Sequence, residues 1–437
     1  MNPLFEDYTS KYDYERAGIM WCVPMTAKEI ESEEDQNTSL SSSDNYVEEK
    51  FDGTRATLHI FQDFIRCFSR RVSNVTGWFC ENSDSLPHIR DLKVPSLEGT
   101  IIDGEMFIPG RPFKDVASVL NCNWDKAVAR QEELGKIVFH AFDIIYYKGI
   151  DLRNFPLHRR KRFLQYVVNT INSPYVEMVK YYSCDTLIPV CVGDRLKKAL
   201  PSLADKYPTL VRDLRKSAKV TPRGYYEYIV ATGGEGVIVK PKNGKYYYKR
   251  GWEYSKIKKF LTREVIIMGF TPPTREYKGK FPDPESWRYW EDYVGDFYDT
   301  SSPEVLKYVK DNLGECAPIS KYFYEHWVGN IIFGVIISDE DISRLPKGKK
   351  FNIQTMTIEG KSVRVLEVGE CAGFDEAQRI EFSNSPDTFI GSTVEVKANE
   401  LFKDTGKLRH PRFLRLRFDK SPLLCTWKDH VSMEVYK

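Results

Sequence analysis

The run Glu49-Lys50-Phe51-Asp52-Gly53-Thr54-Arg55 places a lysine, an aspartate and an arginine around a glycine where the backbone must turn. A lysine amine is a nucleophile only when neutral, and an arginine is the natural partner of a phosphate or carboxylate. An unperturbed lysine is neutral only to about one part in a thousand near neutral pH. Nearby cations and desolvation favour the neutral amine, and the same cations can hold phosphates. Lys256, Lys258 and Arg70 are the candidates for that part. Read alone, Lys50 is a surface lysine in a turn; five further segments change the weighting.

Ile102-Asp103-Gly104-Glu105-Met106 reads as a strand with two carboxylates around a glycine, able to meet a ribose hydroxyl or a magnesium ion. A plain Asp-Gly turn competes with that reading. Phe139-His140-Ala141-Phe142-Asp143 is an apolar strand in which one aromatic could stack on a purine or simply fill the core. Gly233-Gly234-Glu235-Gly236-Val237-Ile238-Val239-Lys240 is a glycine-rich turn entering a strand. It is not a P-loop, because G-x-x-x-x-G-K-[ST] occurs nowhere in the chain. In Ser255-Lys256-Ile257-Lys258, alternation puts both lysines on one strand face; a solvated edge strand is the bland alternative. The last segment runs from Arg409 through Lys420, with Arg415 and Arg417 on one face and Leu414, Leu416 and Phe418 opposite. If carried on a domain that swings over the site, these cations could orient a leaving pyrophosphate.

The elements that must position these residues are strand-rich. Runs of Ile, Val, Phe and Tyr predict strands at 58–68, 101–108, 137–147, 236–240 and 255–259, and a helix at 157–169. Residues 32–45, rich in Ser, Asn, Asp and Glu, read as a flexible surface loop within an N-terminal segment, 1–45. A broken helical stretch at 194–216 carries Arg195, Lys197, Lys198, Arg212, Arg215 and Lys216, making about 185–225 a basic insert. After about Phe260 short strands dominate, at 264–270, 328–338, 350–358, 363–368 and 392–398, followed by the basic strand. That count predicts a small barrel of OB-fold size over 260–437. An insert at about 271–327 holds Trp287, Tyr289, Trp290, Tyr293, Phe297 and Tyr298, which fill a satellite core or stack on bases.

The 437 residues suit two domains, and 41% hydrophobic content is ordinary for a globular chain. No stretch approaches the length of a membrane-spanning helix, and the first residues lack a signal-peptide layout, so no membrane association is expected. Nine scattered cysteines without a Cys-x-x-Cys pair argue for free thiols and an intracellular setting, and against structural zinc. The net charge of +2 is uninformative, but cations group at 159–162, 245–250, 256–259, 347–350 and 407–420, as phosphate-backbone contact would require.

In order, K-x-D-G-x-R, S-R, D-G-E, F-D, E-G-x-x-x-K, K-x-K and R-x-D-K span Lys50 to Lys420. This set resembles the ATP-dependent DNA ligases of the covalent nucleotidyltransferase superfamily, in their compact two-domain, bacteriophage-like form. Phe142 to Tyr146, Gly149, Asp151 to Arg153, Pro156-Leu157, Arg159-Arg160, Pro24-Met25 and Tyr248 to Gly251 look ligase-like too. The resemblance implies an α+β chain: an ATP-grasp-like adenylation domain with mixed and antiparallel sheets over 46–259, then an OB-fold barrel. It implies that Lys50 takes AMP from ATP, passes it to a 5′-phosphate of nicked duplex DNA, and that a 3′-hydroxyl then displaces AMP. Arg55 and Arg70 would contact the nucleotide or nick phosphates, Glu105 the ribose or Mg2+, and Phe142 the adenine. Glu235 would serve the metal and Lys256 and Lys258 the α-phosphate, while Arg417, Asp419 and Lys420 would assist the first step. A monomer is implied.

The chain departs from the larger ligases in having no room for a large N-terminal helical DNA-binding domain, so one or both inserts are expected to help encircle the duplex. An RNA ligase and an mRNA-capping guanylyltransferase share the lysine chemistry. Against capping stand the E-G-V-I-V-K form at Glu235 to Lys240 and the stretch Asp151 to Arg160. A non-catalytic nick-binding module on the same scaffold would predict loss of Lys50, Glu235 or the lysine pair, and all are present.

Overall fold

The computed structural model describes residues 22–73, 77–275, 320–402 and 404–432. They form a mixed α+β chain that falls into two compact units, divided between Lys258 and Lys259.

The lysine run of the first unit ends the strand Asn45–Lys50. Its five-stranded sheet has the order Thr26–Glu29, Arg250–Lys258, Gly236–Pro241, Asn45–Lys50, Tyr181–Ser183. Register sets Lys50 opposite Gly236 and Gly236 opposite Lys258; two residues away, Glu48 faces Ile238 and Ile238 faces Lys256. Because side chains alternate along a strand, Lys50, Glu48, Lys240, Lys256 and Lys258 share one face. The alternate residues Val47, Val237, Val239 and Ile257 bury in an apolar core with Tyr225, Tyr226 and Ile229 of the helix Pro222–Ala231. Thr221 caps that helix, accepting from the Gly224 N–H, with Pro222 favouring its first turn. The helix runs out into Gly233-Gly234, which delivers Glu235 to the entry of the next strand. Gly236 is required there: its φ is 147°, and a Cβ would lie 2.2 Å from the Ile257 carbonyl oxygen.

A second sheet has the order Phe79–Glu81, Ile65–Val72, Thr54–Ile60, Thr100–Phe107, Val138–Tyr147, Ile150–Asp151, with Val176–Met178 parallel to Val138–Tyr147. Leu58, Ile102, Phe139 and Ile144 pack in its core with residues of the helices Phe113–Leu120, Trp124–Leu134 and Leu157–Ile171. Gly53 lies in the turn between Lys50 and this sheet, so close that a Cβ would meet the Met106 carbonyl oxygen at 2.3 Å. Here Arg55 sits opposite Glu105, and Asp103 opposite Asp143.

The stretch 32–45 is not a flexible loop, because Glu33–Ser41 is a helix. Ser32 caps it, three acids occupy its first turn, and Gln36 and Leu40, one turn apart, are buried. The strand expected over 58–68 is two strands, Thr54–Ile60 and Ile65–Val72, joined by a turn closed by Phe61 N–H to Phe64 O. The basic insert is partly structural, since Ile188, Leu210 and Val220 are fully buried in the sheet–helix core.

The second unit holds a six-stranded antiparallel sheet in the order Ile353–Ile358, Lys361–Cys371, Ile331–Ile336, Leu261–Phe270, Thr393–Ala398, Arg412–Leu416. Phe333, Leu366, Phe382, Val394 and Phe413 are among its core. The basic strand stops at Leu416, and Arg417 to Lys420 form a turn closed by Lys420 N–H to Arg417 O. A register shift pairs Phe413 with Val396 and Arg415 with Glu395, so Leu414 bulges outward. Phe413 is therefore the buried residue, whereas Leu414 is 39% and Phe418 77% exposed, against the alternation expected for that segment. The aromatic insert's Trp287, Tyr289, Trp290, Tyr293, Phe297 and Tyr298 lie outside the described residues. No disulfide joins the cysteines among the described residues, and no helix there is long and apolar enough to cross a membrane.

Candidate active site

A cleft of about 270 Å3 opens between the two sheets of the first unit, and Lys50, Arg55, Arg70, Glu105, Phe142 and Lys256 all line it. Lys50 Nζ lies 2.5 Å from Glu235 Oε2, both side chains partly exposed. Lys256 and Lys258 converge on Glu29, each Nζ 3.4 and 3.5 Å from the same oxygen, Oε2. Burial lowers the pKa of Lys256; Glu29 opposes this, while Lys258 and Lys50 add to it. Of the eight candidates in this unit, six line the cleft directly, and Glu235 and Lys258 join through these ion pairs.

Arg55 lines the cleft with part of its guanidinium engaged by protein. Its guanidinium is engaged bidentately by Asp103 at 2.6 Å, donates to the Met25 carbonyl at 2.9 Å, and lies 4.3 Å from the Phe142 ring centre. It is a wall of the cleft in which the Nε and Nη2 donors are engaged by Asp103 and Met25. Arg70 is exposed at the end of its strand and borders both this cleft and a larger one of about 1180 Å3, which shares Gly53 and Arg55 with it. Lys240 Nζ approaches the Phe142 ring centre to 4.5 Å. The implied cations Arg417 and Lys420 belong to the second unit. There Arg417 pairs with Glu264 at 2.6 Å and Asp419 at 2.9 Å, and Lys420 also pairs with Glu264.

A buried ionic layer that the motifs do not show floors the cleft, whose lining includes Glu48, Lys240 and Tyr254. Glu48 bridges Lys240, at 2.7 Å, and Lys161; all three are at most 2% exposed. Asp143 accepts from Arg160 at 2.8 and 2.9 Å and from the Tyr254 hydroxyl. Tyr246 donates to Asp103 at 2.6 Å and accepts from the Met25 N–H at 2.9 Å. Burial pushes the Lys240 amine down to about 8, despite Glu48. For Asp143, burial acts upward, but Arg160 and Lys240 overcome it and hold the carboxyl at about 2. Alternation alone puts Glu48 on the face of Lys50, and strand register adds Lys240; their pairing with Lys161 had no signal in the sequence.

Among the described residues, no three His, Cys, Asp or Glu side chains converge as a metal site. Magnesium is commonly held by one or two carboxylates, water and substrate phosphates, and Glu105 and Glu235 fit that limited donor set. Burial raises Glu105 to about 7, with Lys50 and Arg55 opposing. A carboxyl raised in the folded state favours folding below its unfolded value, and that contribution is lost as pH climbs from about 4.5 to 7. Glu105→Gln is therefore expected to stabilise the ligand-free protein by about 1–2 kcal/mol at pH 8, with little gain at pH 5. Urea unfolding at the two pH values checks this, and an equal effect at both would refute it.

Residues 24–189 match the family model described as the ATP dependent DNA ligase domain. Through that segment the chain is related to the ATP-dependent DNA ligases. It is 26% identical over 250 residues to a DNA ligase of Pyrobaculum arsenaticum, an alignment covering 56% of this chain and 36% of that protein. To DNA ligase 2 of Methanosarcina acetivorans it is 25% identical over 393 residues, covering 86% and 52%. It is also 25% identical over 255 residues to the SPbeta prophage-derived DNA ligase-like protein LigB of Bacillus subtilis, covering 57% and 74%. The chain thus spans about a third of the length of the Pyrobaculum protein it matches. A solved Lig E DNA ligase superposes with TM-score 0.47 at 16% identity, covering 91% of this chain and all of that one. The Chlorella virus DNA ligase-adenylate gives 0.33 at 19%, covering 92% and 100%.

Proposed function

We propose that this protein is an ATP-dependent DNA ligase that seals 3′-hydroxyl/5′-phosphate nicks in duplex DNA. The observation that carries the reading is one cleft holding a lysine amine, a second lysine on the same sheet face, a part-buried carboxyl and an aromatic wall. In the first step the Lys50 Nζ lone pair attacks the α-phosphorus of ATP, a P–N bond forms, and the P–O bond to pyrophosphate breaks. Glu235, the nearest carboxylate at 2.5 Å, takes the proton from the amine before the attack and passes it to solvent. Lys256 and Lys258 hold the α-phosphate oxygens, and Phe142 offers its ring to the adenine. Magnesium, held by Glu105 and Glu235, would offset phosphate charge. The DNA 5′-phosphate then takes AMP from Lys50, entering past Arg70, and the 3′-hydroxyl displaces AMP to form the phosphodiester.

We read the second unit as an OB-fold whose Arg417, Asp419 and Lys420 assist the first step, with the protein acting as a monomer. The exposed cations of the 185–225 insert, and the 271–327 insert, are assigned to duplex contact.

The test is sealing of a nicked, labelled duplex with ATP and magnesium, beside substrates whose strands flanking the nick are RNA. Sealing of the DNA nick with AMP release is expected. Joining of RNA strands alone would move the reading to RNA ligase.

A further inference from the structure

Glu29 has no part in the motif-based reading, yet it is the group both phosphate lysines meet. Its strand, Thr26–Glu29, runs parallel to Arg250–Lys258, with a register shift between Ala27 and Lys28. Ala27 lies opposite Gly251, so an unbroken ladder would bring Glu29 beside Glu253, two like charges; the shift brings it beside Lys256 instead. Lys28 lies over the Trp252 ring at 4.7 Å, leaving Glu29 as the charged side chain that this strand directs at the lysine pair. All three side chains are largely buried, with Glu29 11% exposed. The 3.4 and 3.5 Å separations exceed the usual 2.7–2.9 Å of a charge-assisted hydrogen bond. Two ammonium groups thus share one carboxylate oxygen loosely.

We propose, resting on the ligase reading, that Glu29 is an internal competitor for phosphate. Its carboxylate occupies the charge position of a phosphate or pyrophosphate oxyanion at Lys256 and Lys258. An incoming oxyanion shares the lysines with it, and Glu29 regains them as the product anion leaves. It weakens oxyanion affinity at the lysine pair, so that AMP, whose phosphate the pair holds, is released at the end of turnover.

The test titrates inorganic pyrophosphate and AMP calorimetrically into wild type, Glu29→Gln and Glu29→Asp. In parallel it measures KM for ATP in lysine labelling and multiple-turnover sealing. Glu29→Gln should bind pyrophosphate about fivefold more tightly, lower KM for ATP and slow multiple turnover, while single-turnover labelling at saturating ATP stays near wild type. Glu29→Asp keeps the charge one methylene further back and should shift the same way by less. Weaker pyrophosphate binding in Glu29→Gln would mean that the carboxylate aims the lysines, and unchanged binding would mean that it does nothing to them; either overturns the proposal. A wild type that takes no label from ATP would instead count against the ligase reading itself.

Discussion

Lys50→Ala and Lys50→Arg are both expected to lose covalent label from α-labelled ATP, by at least about a thousandfold, and neither is expected to seal nicks. Alanine removes the nucleophile, and arginine keeps charge and length but has no accessible neutral form with which to attack phosphorus. Two structural facts make the result interpretable. Lys50 and Glu235 are each 23% exposed, so breaking their pair changes stability by no more than about 1 kcal/mol. Its strand is held by Val47 in the core and by register with Gly236–Pro241, neither of which involves the amine. The measurement is label retained after denaturation, with the thermal midpoint of each variant beside it. Label on Lys50→Ala would move the covalent chemistry to another residue. Label from GTP in place of ATP would point to a capping enzyme, and no label on wild type from either would revive the nick-binding module.

Asp143→Ala is expected to destabilise the first unit by about 3–5 kcal/mol at pH 7, because it leaves a buried guanidinium without its carboxylate. Arg160 is 1% exposed and Asp143 fully buried, so water cannot take over. A loss of this size is a large part of a domain's total stability of about 5–15 kcal/mol. The site loses shape as well, since the Tyr254 hydroxyl bonds Asp143 and Tyr254 lines the cleft beside Phe142. The same pair predicts acid sensitivity. Asp143 titrates near 2 when folded and near 3.9 when unfolded, so its contribution is complete above about pH 4 and is lost as pH falls toward 2. That contribution is about 2–3 kcal/mol. In urea unfolding, Asp143→Asn should therefore fall below wild type at pH 7 and approach it at pH 2.5. A gap of constant size across that range would show that Asp143 is not the titrating group.

What could be read along the chain was whatever lies within a few residues. Lys50 with its glycine turn, Glu105 beside Asp103, and Lys256 with Lys258 were all visible because strand alternation alone decides which of them share a face. Local composition failed where a short polar segment folds against a partner. Glu33–Ser41 looked like loop, and two buried contacts at Gln36 and Leu40 make it helix. Alternation sets Leu414 and Phe418 on one face, but a bulge against Thr393–Ala398 turns Leu414 outward and Phe418 lies in the turn beyond the strand.

The tertiary structure decided which distant charges meet. Arg55 reads as a free phosphate ligand, yet cross-strand packing delivers Asp103 to it at 2.6 Å. Glu48 meets Lys161 and Lys240, and Glu29 meets Lys256, across separations at which pairing depends on strand order and on a single register shift. The chain by itself determined the nucleophile and the cations that could serve it, because those are properties of residue type and of spacing along one strand. Which cations are already neutralised, and which remain for a phosphate, was decided only when the sheets closed. Charges compensate through space at 3–4 Å, a distance that sequence separation does not encode.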